Sequence, residues 1–436
     1  MSASDRFAAC AAALLLAVVV PAHCAVAADP APVPQRIVRV DTPATLRAAV
    51  QAAAPGDAIV LAPGVYLMDG DVSVVTPGTA SAPIAMRAET ARASLLRFAT
   101  TGVPLEGFRV RAAWWRFEGL DIEGACASDS DCEHAFHLAG DADHVVIRDN
   151  RIRDFNAQIK SNGLMVGTAP AFPDDVLIER NWLYDTRPRQ TSNPVTKLDV
   201  VGGRRWVVRA NTIFDFHKQA GDGISYGLFL KGNSRQGLVE RNLVRCNLHD
   251  GSGTTIGLSF GGGGTGTPYC EEQNCEVEHR GGIMRNNLVM DCSDVGIYLN
   301  RAAESHVHHN TLYATWGIDV RFPTSSADLR NNLLGGTIRN RDGAISTSAG
   351  NVTGVTPAQF AAWFVDPANA DFSLLDGSAV VDQGVAAPLV TDDFCGVGRL
   401  DGAPDVGALE YGPGPACTLD MGGGTPYDRI FRAGFE

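Results

Sequence analysis

The stretch Val145-Val146-Ile147-Arg148-Asp149-Asn150 is echoed by Val176-Leu177-Ile178-Glu179-Arg180-Asn181, and the two asparagines are 31 residues apart. Each copy is a short apolar run that suits a β-strand and ends on an asparagine. The pattern returns at gaps of 22 to 45 residues, and its other markers are Gly119, in the place of an asparagine, and Asn211, Asn242, Asn287, Asn310 and Asn332. A period in this range indicates a repeat architecture.

The asparagines also predict how the repeats stack. Asparagine tolerates a left-handed backbone at a tight turn. If coils are stacked about 4.8 Å apart, each side-chain amide can bond to the amides above and below it. Short strands without helical periodicity favour a β-solenoid over helical repeats. We therefore predict an all-β chain, a right-handed single-stranded parallel β-helix over residues 36–412 with a short N-terminal capping helix.

The capping helix is expected just before the first coil. Thr42 or Thr45 can cap its N-terminus, and Pro55-Gly56 can end it. A helix in this place would cover the first coil and block edge-to-edge pairing.

A second apolar strand precedes each asparagine, in five-residue frames at 135–139, 163–167, 195–199, 227–231, 255–259, 296–300 and 317–321. Side chains alternate across a strand, so the second and fourth residues should face the core and the third and fifth the solvent. The predicted third-place column is His137, Met165, Lys197, Phe229, Gly257, Tyr298 and Asp319. The predicted fifth-place column is Ala139, Gly167, Asp199, Lys231, Ser259, Asn300 and Arg321.

These columns mix aromatic side chains with charges of both signs, which suits a groove for a sugar polymer. The candidate substrate-binding residues are His137, Asp199, Phe229, Ser259, Tyr298, Asn300 and Asp319. The long coil between Asn242 and Asn287 contains the glycines 261–264, and we expect it to form one wall of the groove.

The N-terminal part of the chain carries a family resemblance. The segments Thr45-Leu46, Pro55-Gly56-Asp57, 61–66, Ala82-Pro83-Ile84 and 115–120 look like the opening of chondroitinase-B-like proteins. Those proteins are polysaccharide lyase family 6 enzymes and their pectin-lyase-like β-helix relatives. The resemblance covers about residues 40–125 and implies β-elimination of a uronic-acid polymer.

Such an elimination needs a base with a near-neutral pKa and positive charge to stabilise the enolate. Lys231 is the candidate base, and Lys197, expected one coil below on the same face, would lower its pKa. Arg321 could bind a carboxylate in a bidentate manner, although it lies about three coils, or ~14 Å, from Lys231. Asp199 could hold a lysine or Ca²⁺; no other cofactor is expected.

Other functions remain open at this stage. Where the family has Arg-His-Gly, this chain has Ser259-Phe260-Gly261, which favours a non-catalytic glycan-binding or surface-structural β-helix. Lys231 could simply pair with Asp199. A glycoside hydrolase would need two neighbouring carboxylates, for which Asp199 and Asp222 are the candidates.

The histidines raise the question of a metal. His217, His249, His306, His308 and His309 could supply ligands, and His306 and His308 should face the same side of one strand. We interpret them as exposed histidines near turns, so the identity of any metal is not predicted.

Composition bears on compartment and partners. Residues 1–28 contain the apolar run 7–20 and a small-residue cleavage site, typical of a secretory signal peptide. The tail 413–436 ends in a segment that resembles a short tail on many secreted Gram-negative proteins. We expect a secreted monomer, extracellular or periplasmic, that lacks a membrane span and binds a polysaccharide. The net charge of −13 argues against a nucleic-acid partner.

Eight of the ten cysteines follow the predicted signal, which indicates disulfides in an oxidising compartment. The short separations predict the local pairs Cys126–Cys132 and Cys270–Cys275. The remaining pairs would be Cys246–Cys292 and Cys395–Cys417.

Overall fold

The computed structural model describes residues 33–249, 251–262, 264–399 and 402–412. The predicted signal 1–28 and tail 413–436 therefore lie outside the described residues. In the described part the chain winds as a right-handed parallel β-helix, as predicted, and its coils stack into three long parallel sheets.

Sheet A comprises twelve strands, in stacking order Arg36–Val40, Asp57–Leu61, Ile84–Ala88, Trp115–Glu118, Val146–Arg148, Leu177–Glu179, Val207–Arg209, Leu238–Glu240, Ile283–Arg285, Ser305–His308, Ser326–Arg330 and Ile345–Ala349. Sheet B comprises ten, Gly64–Met68, Ser94–Phe98, Asp121–Gly124, Arg151–Arg153, Trp182–Tyr184, Thr212–Phe214, Leu243–Arg245, Leu288–Met290, Thr311–Tyr313 and Leu333–Leu334. Sheet C comprises ten, Val72–Val74, Phe108–Val110, His134–Ala139, Ala157–Asn162, Val195–Val201, Ile224–Lys231, Thr254–Phe260, Ile297–Asn300, Gly317–Arg321 and Thr337–Arg341.

Smaller elements decorate these sheets. A three-stranded parallel sheet is formed by Ser234–Arg235, His279–Arg280 and Ala302–Ala303. Two antiparallel pairs are Leu164–Val166 with Ala169–Ala171 and Phe364–Asp366 with Asp371–Leu374. The α-helices are Pro43–Gln51 and Pro357–Trp363, and short 3₁₀ turns span Thr267–Tyr269, Glu271–Gln273 and Pro367–Asn369.

A ladder of buried asparagines stacks where each coil turns from sheet A into sheet B. Asn150 donates from Nδ2 to Oδ1 of Asn181 at 3.0 Å. The same bond repeats at 2.9–3.0 Å along Asn181, Asn211, Asn242, Asn287, Asn310, Asn332 and Asn351. The predicted stacking of the repeats is thus present in the structure, and it fixes the register of successive coils.

The left-handed backbone lies one residue earlier than expected. It belongs to the residue before each asparagine, with φ of 61° at Asp149 and 54° at Arg241. Gly119 has φ 65° and so matches Asp149, whereas Leu120 occupies the asparagine position and donates its N–H to Asn150 Oδ1. The assignment of Gly119 to the asparagine position is therefore wrong, because a glycine suits the left-handed turn and not the ladder.

One predicted strand of sheet C is also misplaced. The frame 163–167 falls on the hairpin that begins with Leu164–Val166, which projects from the coil. The coil's own strand is Ala157–Asn162, which pairs with His134–Ala139. The hairpin has the apolar alternation expected of a strand of sheet C. The strand Ala157–Asn162 contains the polar residues Gln158 and Lys160 and therefore lacks this pattern.

The capping helix forms as predicted at its N-terminus. The Thr42 side chain accepts a hydrogen bond from the backbone of Thr45, and Thr45 reciprocates, which satisfies two N–H groups. Leu46 and Val50 bury the inner face of the helix. The helix ends at Gln51, before Pro55-Gly56 is reached.

The C-terminal region packs along the outer side of sheet B. Phe360, Phe364 and Phe372 form a second apolar core with Leu243 and Leu288, which face outward from that sheet. This cover removes apolar strand surface of sheet B from water, whereas the outer faces of sheets A and C carry charged side chains.

Three of the predicted disulfides are present, Cys126–Cys132, Cys246–Cys292 and Cys270–Cys275. Cys395 is also disulfide-bonded, and its predicted partner Cys417 lies outside the described residues. No described helix is both long and apolar enough to cross a bilayer.

Candidate functional site

The outer face of sheet C presents one continuous column of side chains, which we call the outer column. Residues of this column are paired in register from coil to coil. In order they are His137, Lys160, Asp199, Phe229, Ser259, Tyr298 and Asp319. Six of these seven are predicted binding residues, and Lys160 replaces Met165, which lies in the projecting hairpin.

Asp199 and Ser259 were predicted in the fifth-place column. In the structure both lie in register with the third-place residue Phe229. In the strand Val195–Val201 the core-facing residues are Leu198 and Val200, so the frame begins two residues later than expected. Lys231, Asn300 and Arg321 lie two residues beyond the outer column, as predicted.

Lys197 does not lie on this face, and the prediction that it neighbours Lys231 is wrong. Its side chain is 0% exposed and points into the coil, where Nζ donates to Asp185 Oδ2 at 2.6 Å and to the Phe155 carbonyl at 3.1 Å. Two successive residues of a sheet C strand can both point inward. Ala135 and Phe136 both lie in the core, and Phe136 is in register with Leu198 through Ile159. Strict alternation fails there, and Lys197 precedes the core residue Leu198.

A compact charged cluster lies where the structure brings three coils together. Lys160 Nζ pairs with Asp199 Oδ2 at 2.8 Å, and Asp199 is only 6% exposed. Lys231 Nζ lies 4.2 Å from the centre of the Phe229 ring. Within 4.0 Å, Lys231 forms no ion pair with a described carboxylate, so the expected pairing with Asp199 is taken by Lys160 instead.

The charges in this cluster act on one another. Burial lowers the pKa of Lys231, the Asp199 carboxylate raises it, and the Lys160 charge lowers it again, with a net decrease. Burial acts to raise the pKa of Asp199, but Lys160 and Lys231 outweigh it, and the result is a lowered pKa. Asp199 is therefore ionised near neutral pH, and the Lys231 amine is easier to deprotonate than an ordinary lysine.

Two histidines extend the cluster toward the N-terminal coils. His137 Nε2 hydrogen-bonds Asn162 Oδ1 at 2.6 Å, and its Nδ1 lies 3.0 Å from Glu106 Oε1. The hydrogen bond from His137 is the main cause that lowers the pKa of Glu106 to about 2. Burial lowers the pKa of His134 to about 3, and its buried Nδ1 has no hydrogen-bond partner among the described residues.

Sequence reasoning missed His134, Lys160, Asn162 and Glu106. His134 directly precedes the predicted frame 135–139, but the alternation that turns His137 outward would turn His134 inward, so its place depends on the break in alternation at Ala135 and Phe136. Lys160 and Asn162 were hidden by the misplaced strand, and Glu106 lies between strands, where no repeat marks it.

The C-terminal part of the face is engaged in its own contacts. Asp319 pairs with Arg339 and Arg341, both at 2.6 Å. Arg321 pairs with Asp342 and donates to the Tyr298 hydroxyl at 3.2 Å. Asp319 and Arg321 lie three coils from Lys231.

The remaining predicted residues in this stretch are also buried. The Ser259 hydroxyl donates to the Tyr298 carbonyl at 3.0 Å. Asn300 Oδ1 is buried without a hydrogen-bond partner among the described residues.

The surroundings of Asp199 do not fit Ca²⁺. A calcium site gathers several oxygen ligands, mostly carboxylates and carbonyls. The groups that act on the Asp199 charge include Lys160 and Lys231, and Lys160 already binds one carboxylate oxygen. Two cations beside a single carboxylate would repel a third.

The long coil forms a wall beside the cluster, as its length predicts. Its loop is closed by Cys270–Cys275 and is held to the second coil before it by Glu271, which accepts from Arg204 Nε at 2.8 Å. A Cβ on Gly262 would lie 3.2 Å from Lys231 Cδ, so the glycine allows the loop backbone to pass directly over this lysine.

Comparison with known proteins agrees with this architecture. The family described as "Right handed beta helix region" matches residues 130–334. No curated protein sequence matches the chain. Among solved structures, pectate lyase Pel9A is similar at a TM-score of 0.58 and 14% identity, over 88% of this chain and 98% of that one.

Two other solved structures are more distant. An alginate lyase from Paenibacillus sp. str. FPU-7 has a TM-score of 0.46 and 16% identity, over 73% of this chain and 99% of that one. The PL6 family polysaccharide lyase Pedsa3628 from Pseudopedobacter saltans has a TM-score of 0.36 and 12% identity, over 80% of this chain and 98% of that one. At 14% identity the similarity to pectate lyase Pel9A shows a shared fold alone, and the chain is a right-handed parallel β-helix protein.

Proposed function

We propose that this chain binds a uronate-containing polysaccharide on the outer face of sheet C and cleaves it by β-elimination, with Lys231 as the base. One observation carries the proposal. Lys231 is a partly buried amine without a carboxylate partner among the described residues, and it lies beside the Lys160–Asp199 pair on an otherwise charged and aromatic face.

Burial supports the role of Lys231 as a base. A lysine can accept a proton only when its amine is neutral, and burial lowers the pKa of Lys231. The face of the Phe229 ring, 4.2 Å from Nζ, still favours the ammonium form that arises when the proton is taken up. The base is thus neutral more often than an exposed lysine, yet its protonated form is not left without a favourable contact.

The reaction requires no redox partner. The neutral Lys231 amine takes the proton from the carbon next to the uronate carboxylate, and the electron pair delocalises into that carboxylate. The glycosidic oxygen on the next carbon then leaves with its electron pair and acquires a proton, and a carbon–carbon double bond forms. Lys160, whose charge already lowers the pKa of Lys231, would stabilise the enolate from the outer column.

A binding protein without catalysis is the second candidate, and one feature favours it. Phe229 is only 4% exposed, and the loop backbone at Gly262 passes over Lys231. If this loop keeps the polymer from the amine, the face can hold a glycan but cannot eliminate.

Export of the chain also belongs to the proposal. Disulfides persist in oxidising compartments, and three join described residues of this chain. Together with the signal peptide predicted at 1–28, they support a secreted protein in which residues 36–412 form one β-helix domain ahead of the tail 413–436.

The test uses alginate, pectate, chondroitin and dermatan as substrates and follows the ultraviolet absorbance of the unsaturated uronate. We expect absorbance to grow with at least one polymer, and Lys231→Met to reduce the rate at least a hundredfold because the base is lost. Lys218→Met is the matched control. Lys218 is also buried, but it precedes the start of the strand Ile224–Lys231, whereas Lys231 is the last residue of that strand.

The folded state of both variants is checked by thermal melting. Binding of a polymer without any absorbance change would support the non-catalytic candidate. Equal rates for Lys231→Met and the wild type would remove Lys231 from the reaction.

A further inference from the structure

A separate group of side chains lies on the outer face of sheet A. His306 and His308 are alternate residues of the strand Ser305–His308, and Val307 between them is in the core. Asp328 is paired with His306 in the neighbouring strand Ser326–Arg330. All three side chains therefore project from the same face of two adjacent coils.

The potential ligand atoms of these residues are close together. His308 Nε2 lies 3.2 Å from Asp328 Oδ2, and His306 Nδ1 lies 3.8 Å from the same oxygen. One nitrogen or oxygen from each of the three residues falls within 4.8 Å of the others. Ligands at about 2.0–2.1 Å from a tetrahedral Zn²⁺ lie roughly 3.3 Å from one another, so small side-chain rotations would close the set.

We propose that His306, His308 and Asp328 bind one divalent transition-metal ion. Two imidazoles and one carboxylate form a ligand set that suits Zn²⁺. The ion would join two successive coils of sheet A, and this site is independent of the proposed reaction on sheet C.

A second observation supports a ligand here. His308 is 1% exposed, so its interpretation as an exposed histidine near a turn is wrong, as it is for His217 and His309. The Nδ1 atoms of both His306 and His308 are buried without a hydrogen-bond partner among the described residues. Buried ring nitrogens normally have a partner, because leaving one unsatisfied costs about 1–3 kcal/mol. A metal at His306 Nδ1 would satisfy one of them.

The surroundings orient the carboxylate and leave space for a solvent ligand. Arg330 Nε donates to Asp328 Oδ1 and Oδ2 at 3.0 and 2.9 Å, and Thr347 donates to Oδ1 at 3.2 Å. Such outer contacts hold a ligating carboxylate in place. His306 and Asp328 remain partly exposed, so water can reach the position of a fourth ligand.

The experiment titrates untagged, chelator-treated full-length protein with ZnCl₂ by calorimetry and, in parallel, with Co²⁺ by visible absorption. We expect the wild type to bind Zn²⁺ and to develop the visible bands of tetrahedral Co²⁺. His306→Asn should lower the Zn²⁺ affinity at least tenfold and abolish the bands. His249→Asn is the control, because His249 contacts the carboxylate of Asp215 and no third ligand joins them among the described residues.

Stability offers a second readout that does not depend on spectroscopy. Zn²⁺ should raise the melting temperature of the wild type and of His249→Asn, but not that of His306→Asn, because only a folded site binds the ion. Asp328→Asn repeats the test from the other strand. An unchanged Zn²⁺ affinity in His306→Asn and Asp328→Asn, or no Zn²⁺ binding by the wild type, would overturn the proposal.

Discussion

At Lys231, burial and charge act in opposite directions on the same amine. The desolvated site and Lys160 favour the neutral form, whereas Asp199 favours the ammonium. The neutral form is the reactive one, so the elimination rate should rise with pH through a midpoint below the ordinary lysine pKa.

Lys160→Met should move this midpoint upward, because it removes a positive charge that lowers the pKa of Lys231. The measurement is kcat/KM against pH for the wild type and the variant. Arg39→Met, which removes the surface ion pair Arg39–Glu89, is the control. A midpoint that stays in place or falls in Lys160→Met would show that the titrating group is not Lys231.

Lys197 is fully buried and forms an ion pair with Asp185 inside the coil. Burial lowers the pKa of Lys197 and raises that of Asp185 to about 6, although the two side chains are hydrogen-bonded at 2.6 Å. Burial therefore disfavours the charges of both partners. A pair of this kind positions the chain more than it stabilises it.

Breaking this buried pair should be costly. Lys197→Met leaves the Asp185 carboxyl buried without its partner, and we expect a loss of about 3–5 kcal/mol in the free energy of unfolding. Adding Asp185→Leu should restore part of the loss. Denaturant titration measures both, and a loss for Lys197→Met no larger than that for Arg39→Met, whose pair is exposed, would contradict the account.

At the scale of the element, the asparagine ladder controls the turn from sheet A to sheet B. Asn242 donates from Nδ2 to the Val208 carbonyl at 2.9 Å and to Asn287 Oδ1 at 3.0 Å, and its own Oδ1 accepts from the backbone and side chain of Asn211. Each member thus satisfies buried groups in two neighbouring coils.

Asn242→Ala should lower the free energy of unfolding by about 2–4 kcal/mol, because it leaves several buried polar groups unpaired. The matched control is Asn369→Ala, since Asn369 is exposed and its side chain bonds, among the described residues, to the nearby Asp366 alone. Urea denaturation of both variants gives the comparison. Equal losses would mean that the ladder is not a source of stability.

The elements differ in how well the sequence predicts them. The helix Pro43–Gln51 is predictable because its cap, Thr42 with Thr45, is a local signal. The strand Ala157–Asn162 is not, because the hairpin that follows has the more apolar alternation. Its position is set by pairing with the coils on either side, which no local pattern records.

For the whole molecule, the period of the repeats and the ladder predict the fold, since each coil obeys the same constraint. The site is harder to predict, because its members come from successive coils. A shift of one strand frame by two residues changes which side chains reach the outer column. Asp199 moves into the outer column and Lys197 into the core for this reason. Phe229 and Lys231 were placed correctly because their frame is unambiguous.

The central claim is that the outer face of sheet C breaks a uronate polymer by elimination and not by hydrolysis. Mass spectrometry of the products formed in water enriched in heavy oxygen tests it most directly. Elimination should give shortened chains with an unsaturated terminal uronate and no heavy oxygen at the cleaved ends. Saturated products that carry heavy oxygen would contradict it.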